Sequence, residues 1–217
     1  MRTSDFSRLE DVILNPHFPV ADVLLRRGRH IDRDDGELYL FLRDAAAQLE
    51  PLYRRFACDL VHMPEGAYFL VSTGDQISRR VLTSAEMLVG QTLALLAREP
   101  ETVQTAGLVR RARLLERLRQ LLGDDELVRL LAPSRKKSAR VAEQNVRDKV
   151  EQAVKVLGQL GFVTEEDGDA IRARACIHRF AEPVRTAGDL DAALEGLIRD
   201  GRIVLGSAED DPVENDV

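Results

Sequence analysis

Tryptophan is absent from the 217 residues, and aromatic side chains make up only 5% of them. A core must therefore be built from aliphatic side chains, and the abundance of Leu, Ala, Val and Arg favours packed helices. Cysteine is nearly absent too. Cys58 and Cys176 lie far apart, at no metal-ligand or redox spacing, which excludes a disulfide framework and reads as two buried thiols in a reducing compartment. No uninterrupted apolar run approaches the roughly 18 residues that a membrane helix needs. The segment Met1 to Phe18 is polar and broken by charges and Pro16, unlike a secretory signal. The expected location is the cytoplasm, with no membrane partner.

Motifs of catalysis are missing as well. No G-x-x-x-x-G-K-[ST] occurs, and Lys136-Lys137-Ser138 lacks the glycines that let backbone N–H groups cradle phosphate. No G-x-S-x-G elbow is present. His17, His30, His62 and His178 are scattered, none with a cysteine or carboxylate at a ligand spacing, so they read as turn or partly buried histidines. The expectation is a chain with no catalytic residue, no metal and no cofactor.

Excess positive charge is also lacking: the net charge is −6. That total conceals segregation. Arg110 to Arg119 holds five arginines against one glutamate, and Arg135 to Lys155 seven lysines and arginines against three acids. From Glu209 to Val217 there are five acids and no base, a composition that reads as a disordered tail.

The apolar patterning predicts a helix over Pro19 to Arg27, stopped by Gly28, then a short extended piece, Arg29 to Asp32. A helix capped by Asp34 or Asp35 follows over Glu37 to Phe56, kinked or divided at Pro51. Cys58 to Met63 and Ala67 to Ser72 flank Pro64-Glu65-Gly66 as a hairpin. The order then recurs. Thr83, with Glu86 three residues on, caps a helix to about Arg98. Val103 to Thr105 is a candidate strand. Leu108 to Leu122 reads as one amphipathic helix on a Leu108, Ala112, Leu115, Leu118, Leu122 stripe. A short helix over Asp125 to Leu131 precedes a basic loop, Ser134 to Ser138, and a long helix, Ala139 to Leu160, with Val146, Val150, Val154 and Leu157 inward. A second hairpin surrounds Asp167-Gly168, and helices over Cys176 to Arg185 and Leu190 to Arg199 close the series. Helix, strand, helices and hairpin, twice over, is the order of two winged helices. The fold class expected is mainly α with small β-hairpins (α+β): winged-helix domains over 1–78 and 79–187, a C-terminal helix over 188–205 and the acidic tail over 206–217.

Particular residues resemble a known family. Gly28-Arg29-His30-Ile31, Phe41-Leu42, Pro64-Glu65-Gly66 with Tyr68-Phe69-Leu70, and Val81-Leu82-Thr83 with Met87 and Val89-Gly90 are similar to the MukE pattern. So are Lys149-Val150, Leu160-Gly161, Arg179-Phe180, Val184-Arg185 and Leu197-Ile198-Arg199-Asp200-Gly201. The likeness spans about Phe18 to Gly201. It implies a tandem winged-helix, non-catalytic subunit that forms a homodimer, binds a MukF-like kleisin and reaches a MukB-like SMC ATPase through it. It further implies DNA contact, nucleoid association, and a role in chromosome condensation and segregation or, in related complexes, in plasmid defence. A free-standing winged-helix transcription regulator is the alternative, and Gln144 and Asn145 could then read bases.

The candidate DNA-binding residues are Arg135, Lys136, Lys137, Arg140, Arg147, Lys149, Arg172 and Arg174. The first four sit where a helix-turn-helix presents its turn and recognition-helix start, and phosphate contacts need charge rather than shape. The competing reading is a solvated rim, with Glu143 and Glu151 pairing with Arg147 at four-residue spacing. Arg172 and Arg174 alternate as wing cations do, and as any half-exposed strand does. Arg110, Arg113 and Arg117 mark a face that is either solvated or an interface. Among the family-like positions, Tyr68, Phe69 and Phe180 are expected in the core.

Overall fold

The computed structural model describes residues 6–77, 80–131, 139–167 and 169–199. It is mainly helical, with two small antiparallel sheets. The elements of the first half are α1 (Leu9–Leu14), α2 (Phe18–Arg26), β1 (Ile31–Asp32), α3 (Glu37–Arg54), β2 (Cys58–His62) and β3 (Ala67–Ser72). The second half comprises α4 (Ser84–Leu96), α5 (Pro100–Gln104), β4 (Leu108–Arg110), α6 (Arg111–Leu122), α7 (Asp124–Leu131), α8 (Ala139–Gln159), β5 (Val163–Glu166) and β6 (Ala170–Ala173). A 3-10 stretch, Ala175–Val184, and α9 (Leu190–Arg199) complete it.

Both sheets are built alike. The hairpin β2–β3 runs from Cys58↔Ser72 to His62↔Tyr68, and β1 joins the far edge of β3 through Ile31↔Tyr68. In the second sheet β5 pairs with β6 from Val163↔Ala173 to Glu166↔Ala170, and β4 takes the far edge of β6 through Val109↔Ile171. The strand orders β1-β3-β2 and β4-β6-β5 are thus equivalent.

The cores of the two halves are unequal. A smaller one gathers Val12, Leu25, Ile31, Leu42, Leu49 and Tyr53 between α1, α2, α3 and the first sheet. The larger surrounds α4, which is buried almost all round (Leu88 to Leu96), a pattern reserved for helices at the centre of a fold. Thr83 caps α4 in a reciprocal box with Glu86, as the spacing predicts. The larger core also takes Met63, Ala67 and Phe69 from the first hairpin, so the halves share apolar interior.

Several expectations give way. Leu108–Arg110 is strand rather than helix, because Ala106 and Gly107 both take positive φ and re-extend the chain, and Val109 then packs inward opposite Ile171. The helix starts at Arg111 and buries Leu114, Leu118 and Leu121, a stripe shifted from the one expected. Val103 and Gln104 belong to α5, started by Pro100 at its first position. α3 runs undivided through Pro51, and its N-cap is Gly36; Asp32 and Asp35 cap the intervening 3-10 turn instead. Ala175–Val184 is a 3-10 stretch, not an α-helix. α1, which the polar start of the chain concealed, places Val12 in full burial. The basic loop, Asp200-Gly201 and the acidic tail lie outside the described residues.

Candidate functional site

The halves meet through charged and aromatic side chains that sequence spacing could not bring together. Arg174 follows β6 and is 5% exposed. Its guanidinium bridges to Asp32, itself 2% exposed, and to Asp35 of the adjoining 3-10 turn. Burial disfavours the charge on Arg174, but the two carboxylates more than restore it. Burial likewise pushes the Asp35 carboxyl upward, yet hydrogen bonds from Arg174 and Arg29 hold it below the ordinary carboxylate range. Arg29 donates to Asp35 Oδ1 at 3.1 Å and to the Gln159 carbonyl at 3.4 Å, so this clasp spans both halves. The expectation of Arg174 as a phosphate-contacting wing residue is corrected here: its charge is enclosed and matched.

Beside the clasp, His30 lies 4.3 Å from the Phe162 ring and 4.9 Å from Phe69, centroid to centroid. Its Nδ1 is 3.1 Å from the Leu160 carbonyl, and Nε2 faces Arg179 Nη1. A carbonyl can only accept and a guanidinium only donate, so the ring is neutral, with its proton on Nδ1. Burial first, and the Arg179 charge second, lower its pKa to about 3. Gly161 is needed here. Its φ is +79°, and a Cβ would meet the His30 carbonyl oxygen at 2.3 Å. Tyr68, Phe69 and Phe180 are buried, in agreement with their reading as core.

This cluster forms one wall of a groove of about 1140 Å³ between the halves. Leu24, Leu70, Leu82, Met87 and Phe180 give it an apolar lining, and Arg26, Arg27, Arg29, Arg80 and Arg179 contribute five cations. Among the described residues no aspartate or glutamate lines it.

The basic helix is a second candidate. On α8, Val146, Val150, Val154 and Leu157 are buried as expected, and Arg140, Arg147 and Lys149 are exposed on the flanks. Arg147 pairs with Glu143 at 3.1 Å, and Glu143 also takes Arg119 at 2.9 Å. Glu151, expected to partner Arg147, is drawn instead to Arg111 at 2.9 Å. Lys149 donates to Gln152 at 3.2 Å. Arg172 is held by Glu166 at 2.7 Å and by the Ala106 carbonyl at 3.0 Å. Arg135, Lys136 and Lys137 lie outside the described residues. Arg113 and Arg117 both reach Glu99, and Arg117 also Glu195, so that face of α6 serves ion pairs within the chain. Arg110 lies on β4. Among the described residues no group of three or more His, Cys, Asp or Glu side chains could hold a metal, and no helix is long and apolar enough to cross a membrane. Both thiols are buried, and burial pushes Cys176 up to about 12.

The model of the MukE-like family matches residues 6–216. The chain belongs to the MukE-like family. Among its relatives, a chromosome partition protein MukE of Vibrio cholerae is 34% identical over 203 residues, covering 93% of this chain and 87% of that protein. Those of Escherichia coli K12 and Pasteurella multocida are 32% and 33% identical, covering 96% and 90% of this chain and 87% and 82% of theirs.

Within this MukE-like chain, sequence reasoning marks Arg29 and Arg179 as family-like positions but misses the Asp32–Arg174 pair, Arg27 and Arg80. A pairing across more than a hundred residues leaves no local pattern. The one available signal is an Asp-rich turn, Asp32 to Asp35, carrying more carboxylates than a cap requires.

Proposed function

We propose that this chain is a non-catalytic adaptor subunit of a chromosome-partition complex of the MukBEF type, working in the cytoplasm at the nucleoid. In this reading its halves are tandem winged helices, it forms a homodimer, and it binds a MukF-like kleisin and through it a MukB-like SMC ATPase. The observation that carries the reading is the near full-length match to proteins named chromosome partition protein MukE. DNA contact is assigned to Arg135, Lys136, Lys137 and Arg140, with Arg147 and Lys149 behind them. Arg140, Arg147 and Lys149 are solvent-facing on α8, where cations reach phosphates at little cost to the core. The Arg147–Glu143 pair is half exposed, so it would yield readily to a phosphate. Gln144 is engaged by Asp148 at 2.8 Å, which favours backbone contact over base reading by a free-standing regulator.

The test uses the complex reconstituted with a MukF-like kleisin and a MukB-like SMC ATPase from the same organism, with this chain in natural form and with Arg135, Lys136, Lys137 and Arg140 changed together to Glu. Both forms should co-elute with the kleisin as dimers by light scattering. The variant should bind DNA more weakly on unrelated sequences, its plot of log K against log salt flatter by roughly 0.9 for each phosphate that is no longer neutralised. Failure to co-elute would remove the adaptor reading. Unchanged affinity and slope would remove the DNA assignment, and a weakening confined to one sequence would favour the regulator.

A further inference from the structure

The groove between the halves is anomalous in its charge. The whole chain carries a net charge of −6, yet among the described residues the groove is lined by five arginines and no carboxylate. Three of the arginines have partners nearby: Arg26 with Asp22, Arg29 with Asp35 and Arg80 with Glu86. Arg179 differs. It is largely enclosed, its guanidinium lies 4.0 Å from the Phe69 ring, and its hydrogen-bonding neighbour is the neutral His30. Among the described residues no carboxylate oxygen lies within salt-bridge distance of Arg179 or of the exposed Arg27. Burial has lowered the pKa of Arg179, the response of a cation short of counter-charge. Apolar walls with convergent, under-compensated guanidiniums suit a segment with aliphatic anchors and several carboxylates.

One such segment belongs to the chain itself. Beyond Arg199 run Ile203-Val204-Leu205 and then Glu209, Asp210, Asp211, Glu214 and Asp216, with no base after Arg202. α9, which leads into it, packs on α4 and on the 3-10 stretch. Those two elements supply Met87, Arg179, Phe180 and Pro183 to the groove. Residues 200–217 extended span up to about 60 Å, and a fold of this length has a radius of gyration of roughly 17 Å, so the groove is within reach.

We propose that the C-terminal segment of the chain is the occupant of this groove, with Ile203-Val204-Leu205 against its apolar wall and the acids following on Arg27, Arg80 and Arg179. The tail thereby acts as an internal competitor, closing the groove to other acidic segments. This inference stands independently of the adaptor and DNA readings.

The test uses a fluorescein-labelled peptide of residues 201–217, followed by fluorescence anisotropy against two full-length chains. One is natural; the other carries Glu209→Gln, Asp210→Asn, Asp211→Asn, Glu214→Gln and Asp216→Asn. The peptide should bind the neutralised chain, and bind the natural chain about tenfold more weakly, because a tethered competitor acts at an effective concentration near the millimolar range. Adding Arg27→Glu and Arg80→Glu to the neutralised chain should cost a further tenfold or more. Both sites are exposed, and circular dichroism checks that the fold is retained. The proposal is overturned if the peptide fails to bind the neutralised chain, binds both chains equally, or ignores the rim substitutions in a folded variant. It is also overturned if the difference between the two chains vanishes on dilution, which would place the tail of a second copy in the groove. The comparison of natural and neutralised chains decides the matter even if the rim variant misfolds.

Discussion

Single residues at the junction set how this chain responds to acid and to mutation. His30 is neutral in the fold, with a pKa lowered to about 3 against 6.5 when unfolded. Between those values the unfolded chain binds a proton that the folded chain does not, so stability rises with pH across this window and falls on acidification. From pH 7 to pH 5 the loss should be about 2 kcal/mol. His62 and His178, lowered mainly by burial, act in the same direction. Asp35, held below its ordinary range, adds a loss that sets in only below about pH 4. The gap between urea midpoints measured at pH 7 and pH 5 should therefore narrow in His30→Gln, which keeps a donor for Leu160 and an acceptor for Arg179, leaving the smaller part owed to His62 and His178. An unchanged difference in that variant would exonerate His30. The clasp gives a second expectation. Arg174→Met strands Asp32 and Asp35 in the interior and should cost about 3–5 kcal/mol. Adding Asp32→Asn and Asp35→Asn should recover part of that loss, a coupling that a double-mutant cycle measures. Strict additivity would show that the three side chains do not act as a unit. Neither role is legible in the sequence, since an alternating Arg172/Arg174 pair looks the same whether its members face solvent or a buried carboxylate.

At the scale of elements the sequence is far more informative. Both hairpins, the Thr83 box and the inward face of α8 follow from local pattern, because each depends on contacts within a few residues or on one periodicity. The errors sit where tertiary pairing overrides that pattern. Leu108 to Leu122 has a continuous helical stripe, yet its first three residues complete the edge of a sheet whose other strands lie some sixty residues away. Helix packing leads to a prediction here. α4 approaches the 3-10 stretch so closely that a Cβ at Gly90 would lie 2.3 Å from the Phe180 ring. Gly90→Ala should overpack this crossing and lower stability by about 1–3 kcal/mol, despite the better helix propensity of alanine. Phe180→Leu in the same chain should restore part of it by vacating the space that the methyl needs. Thermal melts of the natural chain and the two variants decide the point: a stabilised Gly90→Ala would mean that propensity outweighs the crossing.

For the molecule as a whole, two similar units in tandem suggest two domains able to fold separately, and a division between residues 78 and 79 rests on that similarity. The interior argues for a stronger dependence of the first unit on the second. Met63, Ala67 and Phe69 of the first hairpin belong to the larger core, the backbone N–H and ring of His30 both bond to the Leu160 carbonyl, and the buried charge of Asp32 has its partner in Arg174. A fragment ending at Ile77 would expose the Phe69 ring and leave Asp32 without a counter-ion, while its own core would retain only the smaller cluster. Small domains sit close to the margin of stability, so losses of a few kcal/mol are decisive. The full chain should accordingly unfold in one transition, with far-ultraviolet and near-ultraviolet circular dichroism coinciding across a urea series. The isolated fragment 1–77 should show helical far-ultraviolet signal with little fixed near-ultraviolet signal, and should bind a hydrophobic dye. A cooperative transition in the fragment, at the urea concentration where the full chain unfolds, would show that the shared core and the clasp add nothing to the first half and would restore two autonomous domains.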